Sequence, residues 1–251
     1  MVTNFVQGEG AVLSIQQASI YVDACFILAF LDEDDTRSDK VANLINAWTE
    51  KEIEMGISSH TFTEVVGILM KNKIERALKI YIENMENIKS KGIGCLSEDD
   101  RRDIVSIEAA CNLYEIYQYI IKVRAESEDE SKEVYTKELL KVGKRHAKRR
   151  SGLTAYYTNV VQTFEEFLYS MENHFKIKVE YISSDKKAID AAAQYMKLYQ
   201  LEAYDAMHLA IARNKCDYFI TLDQDFIQNF LKKDKNLQTK VIVFAWKRKQ
   251  P

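Results

Sequence analysis

Short apolar segments alternate with longer segments of helical periodicity in the first and last thirds of the chain. Five apolar segments have the length and composition of buried strands, namely Ile20–Val22, Ile53–Ser58, Ile177–Ser183, Tyr218–Leu222 and Lys240–Ala245. Apolar residues at helical spacing predict helices, namely Ser38–Thr49, Ser58–Lys73, Ala77–Lys89, Asp185–Tyr199, Tyr204–Arg213 and Asp225–Leu231. Alternating strands and helices predict an α/β protein with a mainly parallel sheet. Right-handed crossovers would make it a three-layer α/β/α sandwich.

The middle of the chain, residues 96–176, has a different pattern. It lacks strand signals, and Arg102–Arg124 has one long helical repeat of apolar positions. Residues Tyr156–Phe175 form a second amphipathic stretch. We therefore predict an all-helical insertion at residues 96–176, inside a discontinuous sheet-containing domain formed by residues 1–95 and 177–251.

Composition adds a limit on possible partners. The 251 residues are 47% hydrophobic and 29% charged, with one proline and eight glycines. This composition is typical of a helix-rich globular protein and leaves little material for flexible linkers. The formal net charge is −3, so an anionic partner has to be bound by a local basic patch rather than by the overall field.

The cysteines and the first residues bear on the cellular compartment. Four scattered cysteines form no CxxC pair, which predicts reduced thiols in a cytoplasmic protein, and zinc is not expected. No apolar run of about 18 residues exists, so no membrane span is predicted. The first residues lack the basic and apolar regions of a signal peptide. Their GEG sequence, Gly8 to Gly10, is interpreted as a turn.

Four acidic residues fall at positions that a parallel sheet would bring to one edge. Asp23 follows the first predicted strand, and Asp223 follows the strand Tyr218–Leu222. Glu64 lies in the first turn of a helix that follows a strand, and Asp205 begins the helix that leads into Tyr218–Leu222. Because open parallel sheets bind ligands beyond the carboxyl ends of their strands, these acids are candidate site residues.

Most of these acids also have a structural interpretation that involves no ligand. The alternatives are a capping box, a helix N-cap and an Asx turn. Thr61 and Glu64 would form the capping box. Asp205 would be the helix N-cap, and Asp223 with Asp225 would form the Asx turn. Asp23 is the exception, because a carboxylate between two apolar residues is poorly suited to a buried strand.

A cluster of four carboxylates predicts a bound cation. Such a cluster cannot stay fully ionised unless a positive charge compensates it. A hard, oxygen-ligated cation such as Mg²⁺ or Mn²⁺ matches this ligand type. A site of this kind activates a water molecule and neutralises charge on a phosphodiester, so it predicts phosphodiester hydrolysis.

Three blocks of the sequence resemble PIN-domain nucleases, the family that includes VapC-like toxins. The blocks are IYVDACFILAFL, ISSHTFTEVVGIL and YDAMHLAIARNKCDYFITLDQDF, and the resemblance covers residues 19–90 and 177–245. The last block is the most specific, because an Asp opens a small-residue helix that precedes an apolar strand and the sequence T-x-D-x-D-F. The metal-binding acids of the family correspond here to Asp23, Glu64, Asp205 and Asp223, with Asp225 as an accessory acid.

The resemblance implies a function and a biological setting. It implies an α/β/α sandwich that cleaves RNA with Mg²⁺ or Mn²⁺ and often forms a homodimer. Thr221 matches a hydroxyl that supports the site by hydrogen bonding. A toxin of a toxin–antitoxin or defence system, restrained by an inhibitory antitoxin-like protein, is a further expectation. Compact toxins of the family have no counterpart of the insertion at residues 96–176, and residues 1–18 lie outside the resemblance.

The basic run KVGKRHAKRR is a candidate RNA-binding surface. Its cationic residues are Lys141, Lys144, Arg145, Lys148, Arg149 and Arg150. Four of them share one helical face by spacing and would contact phosphates. The alternative is a solvated helix face balanced by the acids of Glu126–Glu133. Tyr156 and Tyr157 are candidates for base stacking, or else one is buried and the other exposed.

The leading prediction is a metal-dependent endoribonuclease. His208, one turn after Asp205, and His60, near Glu64, are interpreted as packing or hydrogen-bonding residues. A PIN-like scaffold that binds RNA or protein without cutting it is the main alternative. A phospho-receiver domain and a DNA flap nuclease or exonuclease are lesser alternatives.

Overall fold

The computed structural model describes residues 5–126, 134–145, 150–226 and 240–243. Six strands form one sheet: β1 (Phe5–Gln7), β2 (Ser19–Val22), β3 (Glu54–Ser58), β4 (Lys178–Ile182), β5 (Tyr218–Thr221) and β6 (Lys240–Val243). The strand order is β1-β6-β5-β2-β3-β4, and every neighbouring pair is parallel. The predicted α/β fold with a parallel sheet is therefore confirmed.

The described part of the chain contains ten α-helices. They are α1 (Glu9–Leu13), α2 (Ala24–Leu31), α3 (Ser38–Trp48), α4 (Ser59–Lys91), α5 (Glu98–Asp103), α6 (Ile107–Glu126), α7 (Thr136–Arg145), α8 (Arg150–Asn173), α9 (Lys186–Tyr199) and α10 (Ala203–Lys215). Single 3₁₀ turns occur at Ile93–Cys95 and Gln224–Phe226. None of the described helices is both long enough and apolar enough to cross a lipid bilayer.

The chain forms two compact units. The sheet unit comprises Met1–Val65 and Phe164–Pro251, and the helical unit comprises Val66–Thr163. The sequence pattern places the limits of the helical insertion at residues 96 and 176, where strand signals are absent. The boundaries between the two compact units lie inside α4 and α8 instead, since part of each helix belongs to each unit.

The strand order places a topological switch point at the centre of the sheet. From β2 the chain adds β3 and β4 on one side, and it then returns to place β5 on the other side of β2. The register pairs Tyr21 with Phe219 and Val22 with Ile220, so β5 ends one residue beyond the level at which β2 ends. Ligands of open α/β sheets bind beyond the strand ends at such a point.

Helices α9 and α10 cover the sheet beside the switch point. Small residues on both helices, including Ala192 and Ala210, pack in one buried cluster with Tyr21 and Phe219 of the central strands. Most residues of β2 and β5 are buried, as expected for parallel strands with helices on both faces. Gln200, at the end of α9, has a left-handed conformation with φ 51°, and this residue redirects the chain into α10.

The helical unit corrects two sequence predictions. Ser58–Lys73 and Ala77–Lys89 were predicted as separate helices, but α4 is continuous because Ile74 and Ala77 are buried on its packed face. Arg102–Arg124 was predicted as one helix, but a break separates α5 from α6. Ser106 lies in this break, and its hydroxyl caps the start of α6 by accepting a hydrogen bond from the Ala109 N–H at 3.0 Å.

The predictions near the two chain ends differ in outcome. Gly8 has a positive φ of 109°, but α1 begins at Glu9, so the predicted GEG turn is limited to its first residue. The predicted helix Asp225–Leu231 is described only to Phe226, where the chain forms a 3₁₀ turn. Residues 227–231 lie outside the described part of the chain.

Candidate functional site

Asp23 is buried directly beyond the end of β2, with 3% of its surface exposed. Its Oδ1 accepts a hydrogen bond from the Phe26 N–H at 3.0 Å, so the residue is the N-cap of α2. Its Oδ2 accepts hydrogen bonds from the Thr221 hydroxyl and from the Cys25 thiol, the latter at 3.0 Å. The polar residue that interrupts the apolar segment is therefore held by three donors.

Burial is the dominant influence on the Asp23 carboxyl. Removal from water raises its pKa, while the positive potential of His208 and the hydrogen bonds from Thr221 and Cys25 oppose the rise. A buried carboxylate that remains charged needs positive charge nearby. The site therefore favours either a proton or a cation at Asp23.

Thr221 links Asp23 to the loop that contains Asp223. The Thr221 hydroxyl donates to Asp23 and accepts a hydrogen bond from the Asp223 N–H at 2.9 Å. Oδ1 of Asp223 in turn accepts from the Asp225 N–H at 2.8 Å. This last bond is the Asx turn that the sequence offers as an alternative interpretation, and it also orients the Asp223 carboxylate.

Asp205 brings a third segment to the same place. It lies in the first turn of α10, where the N-cap position belongs to Glu202 rather than to Asp205. Carboxylate oxygens of Asp205, Asp223 and Asp225 all lie within 4.8 Å of one another. We call these three residues, together with Asp23, the acidic cluster.

Burial and the neighbouring carboxylates raise the pKa of Asp205 to about 7. Burial is the largest cause, followed by repulsion from Asp223, and Asp23 and Asp225 act in the same direction. His208 opposes the rise with its positive potential. Within the described residues, no Lys or Arg forms an ion pair with any member of the cluster.

Glu64 has a different environment from the other predicted acids. Its Oε2 lies 2.7 Å from Nε2 of His208, and it is grouped with His60 and His208 rather than with the acidic cluster. It is also not part of a capping box with Thr61. The helix α4 is capped instead by Ser58, whose hydroxyl accepts a hydrogen bond from the Thr61 N–H at 3.2 Å.

A buried hydroxyl network supports His208 from its other side. Nδ1 of His208 lies 2.9 Å from the Tyr21 hydroxyl. That hydroxyl also lies 2.7 Å from the Ser58 hydroxyl and 2.9 Å from the Thr61 hydroxyl. The sequence interpretation of His208 as a packing or hydrogen-bonding residue placed its bonds within its own helix, whereas its partners here are Tyr21 of β2 and Glu64 of α4. His208 is also close enough to the acidic cluster for its positive potential to oppose the rise in pKa of Asp23 and Asp205.

His60 is half-buried and lies beside this network. Burial lowers its pKa, and the positive potential of His208 lowers it further, while Glu64 and a hydrogen bond to the Tyr204 backbone oppose the change. Its ring stacks on the Tyr204 ring with centroids 4.9 Å apart and an angle of 24° between planes. Its Nε2 atom is buried and has no hydrogen-bond partner among the described residues.

Sequence reasoning missed the supporting residues of the site. Tyr21 was assigned only to a strand, Ser58 to a strand end and a helix start, and Cys25 only to the reduced thiols. Ser58 had a local signal, because a Ser three residues before Thr61 at a strand–helix junction fits an N-cap. Tyr21 and Cys25 had none, since their hydrogen bonds depend on where other side chains lie.

The predicted RNA-binding residues lie in the helical unit. Lys141, Lys144 and Arg145 are exposed on α7, and the Lys144 ammonium lies 5.5 Å from the centre of the Tyr157 ring. Lys148 and Arg149 lie outside the described residues, and only the backbone of Arg150 is described, at the start of α8. Tyr156 is fully buried, whereas Tyr157 is partly exposed.

Comparisons with known proteins give no relative for this chain. No family model matches it, and no match was found among curated proteins or among solved structures. Any functional proposal therefore depends on the geometry of the site and on the resemblance that its sequence blocks carry.

Proposed function

We propose that this chain is a divalent-metal-dependent endoribonuclease that hydrolyses RNA phosphodiester bonds. The observation that carries the proposal is the convergence of Asp205, Asp223 and Asp225, whose carboxylate oxygens lie within 4.8 Å of one another. Buried Asp23 adds a fourth negative potential at the same strand ends. Carboxylates held this closely favour a bound cation.

The donor set fits a hard divalent cation. All four members of the acidic cluster offer carboxylate oxygens, which suit Mg²⁺ or Mn²⁺. Bound there, the cation would neutralise charge on a phosphodiester and make a bound water more acidic. Glu64 is the remaining metal-binding acid of the PIN resemblance. In this chain its carboxylate is hydrogen-bonded to His208.

The chain prepares this site with its own hydrogen bonds. The Thr221 hydroxyl donates a hydrogen bond to Asp23 and accepts one from the Asp223 N–H. One side chain therefore orients the acids at the ends of β2 and β5. Bonds made before a ligand arrives remove the cost of ordering these groups when it binds. We therefore assign Thr221 a positioning role.

The substrate class and the biological setting come from the resemblance. The acidic cluster supports phosphodiester chemistry in general, and the PIN-like sequence blocks favour RNA over DNA. A cytoplasmic toxin of a toxin–antitoxin or defence system, with an inhibitory protein partner and a homodimeric state, is the setting that this resemblance implies. The four cysteines, all free of disulfide bonds, are compatible with the cytoplasm.

The direct test is cleavage of labelled total RNA by the purified full chain. We expect cleavage with Mg²⁺ or Mn²⁺ and none with EDTA. Asp223→Asn should lower the rate by about 100-fold or more, because it removes a carboxylate charge from the acidic cluster. Asp190→Asn is the matched control, since Asp190 is exposed on α9 and the same substitution there should leave the rate unchanged.

A folded Asp223→Asn protein that cleaves RNA as fast as the wild type would contradict the proposal. Intact RNA in every reaction, over a broad panel of substrates, would favour the alternative of a PIN-like scaffold that binds RNA or protein without cutting it. Thermal unfolding of each variant, followed by circular dichroism, separates loss of activity from loss of the fold.

A further inference from the structure

We propose that His60, Glu64 and His208 form a second metal site, selective for a transition metal such as Zn²⁺. One ligand atom from each residue lies within 4.8 Å of the others. His60 and Glu64 are four residues apart on α4, so they lie one above the other on the same helix face, and His208 comes from α10. The proposal does not depend on the proposed nuclease activity.

His60 has the hydrogen bonding that is expected of a metal-ligating histidine. Its Nε2 atom is buried without a hydrogen-bond partner in the part of the chain that the structure describes, while the ring is hydrogen-bonded to the backbone of Tyr204. Because Nε2 has no partner, that bond comes from Nδ1–H, which leaves the lone pair on Nε2. A buried polar atom without a partner is costly and rare. A metal ion at Nε2 would satisfy it.

His208 has the outer hydrogen bond that metal-ligating histidines use. Such a histidine donates its second ring N–H to a neighbouring acceptor, which fixes the ring and its tautomer. Nδ1 of His208 lies 2.9 Å from the Tyr21 hydroxyl, whose oxygen can accept a hydrogen bond from Nδ1–H. Tyr21 can then donate its own proton to the hydroxyl of Ser58 or Thr61. Nε2 of His208 shares a hydrogen bond with Oε2 of Glu64 at 2.7 Å, and a metal at Nε2 would replace this bond and release its proton to solvent. The proton on Nδ1 and the hydroxyl network of Tyr21 are compatible with that exchange.

The ligand types determine the class of metal. Two imidazoles and one carboxylate suit Zn²⁺ and its neighbours in the first transition row, whereas Mg²⁺ prefers oxygen ligands and retains its water. The acidic cluster offers only carboxylate oxygens. The two groups should therefore differ in metal preference. Zinc was not expected from the sequence because the cysteines form no metal-binding pair. The group of His60, Glu64 and His208 contains no cysteine, so that argument does not apply to it.

The test is calorimetric titration of metal-free full-length protein with Zn²⁺ in the presence of excess Mg²⁺, which occupies the oxygen-ligand sites. We expect about one Zn²⁺ per chain. His60→Ala and Glu64→Gln should each weaken Zn²⁺ binding by about 100-fold or more. His174→Ala, which removes an exposed histidine, and Asp223→Asn, which alters the acidic cluster, should leave the affinity unchanged.

Titration with Co²⁺ supplies a spectroscopic readout that is independent of RNA cleavage. The visible absorption spectrum of Co²⁺ bound to the His60→Ala protein should differ from that of Co²⁺ bound to the wild type. The spectrum with the His174→Ala protein should match the wild type. Zn²⁺ binding that is unaffected in both His60→Ala and Glu64→Gln, or lost only in Asp223→Asn, would overturn the proposal, as would absence of Zn²⁺ binding by the wild type. Glu64→Gln retains a side chain that can hydrogen-bond to His208, so it covers the case in which His60→Ala does not fold. Failure of the nuclease test would leave this result standing.

Discussion

At the residue scale, the environment of the site changes the pKa of Asp205. It sits in the first turn of α10, partly buried, and faces the repulsion of Asp223. These influences raise its pKa from 3.8 to about 7 in the folded protein. Because the folded state holds this proton more tightly than the unfolded state does, protonation of Asp205 stabilises the fold.

This pKa gives a pH dependence for the metal-free protein. The stabilisation from Asp205 is complete below about pH 4, the ordinary carboxyl range, and is lost as the pH rises through about 7. We expect Asp205→Asn, which carries no charge, to remove this loss. The measurement is the unfolding midpoint of wild type and variant between pH 4 and 8, with EDTA present.

The difference between the two curves isolates Asp205 from the other titrating groups. The advantage of Asp205→Asn should grow as the pH increases from 4 to 8. Asp190→Asn, an exposed site on α9, should give a curve parallel to that of the wild type. Parallel curves for Asp205→Asn as well would show that Asp205 titrates as an ordinary carboxyl group.

At the scale of elements, close packing around β3 leaves little room for a side chain at Gly56. Gly56 pairs with Tyr21 of β2 on one side and with Glu180 of β4 on the other. A Cβ atom at Gly56 would clash with the end of the Ile182 side chain, and it would lie 3.2 Å from the Ile20 carbonyl oxygen. Glycine is therefore the residue that fits this position.

We expect Gly56→Ala to lower the free energy of unfolding by about 1–3 kcal/mol, the usual cost of overpacking a core. Gly67→Ala is the control, because Gly67 is exposed on α4 and an added Cβ there meets nothing within 4 Å. That change should raise stability by up to about 1 kcal/mol through helix propensity. Urea unfolding of both variants measures the difference, and equal midpoints would contradict the packing argument.

At the scale of the whole molecule, charge has to be distributed unevenly if the protein binds RNA. The net charge is −3, and the acidic cluster repels phosphates in the absence of a cation. The exposed basic residues of α7, namely Lys141, Lys144 and Arg145, offer the local positive charge that RNA binding requires.

We expect the triple substitution of these α7 residues by alanine to weaken RNA binding and to reduce its salt dependence. Each lost phosphate contact should lower the slope of log affinity against log salt by about 0.7. A control triple variant, Lys71→Ala, Lys79→Ala and Lys91→Ala, removes the same charge from exposed positions of α4. Fluorescence anisotropy with a labelled RNA and catalytically impaired Asp223→Asn protein measures both slopes; equal slopes would exclude α7 as the RNA surface.

The sequence by itself determined the class of fold and the edge at which the acids gather. Five of the six strands were predicted from short apolar runs, because strands buried on both faces carry few polar residues. The direction of parallel strands then placed Asp23 and Asp223 at one edge. A strand in residues 5–7 was not predicted, since its apolar run is only Phe5 and Val6 before the polar Gln7.

Only the tertiary structure decided which side chains meet. His208 and Glu64 are separated by 144 positions, and Thr221 and Asp23 by 198, so no local pattern reports either hydrogen bond. The unpartnered Nε2 of His60 is likewise a property of its surroundings. Sequence periodicity records which face of an element is buried, whereas side-chain contacts depend on how distant elements pack, and that information is absent from any single segment.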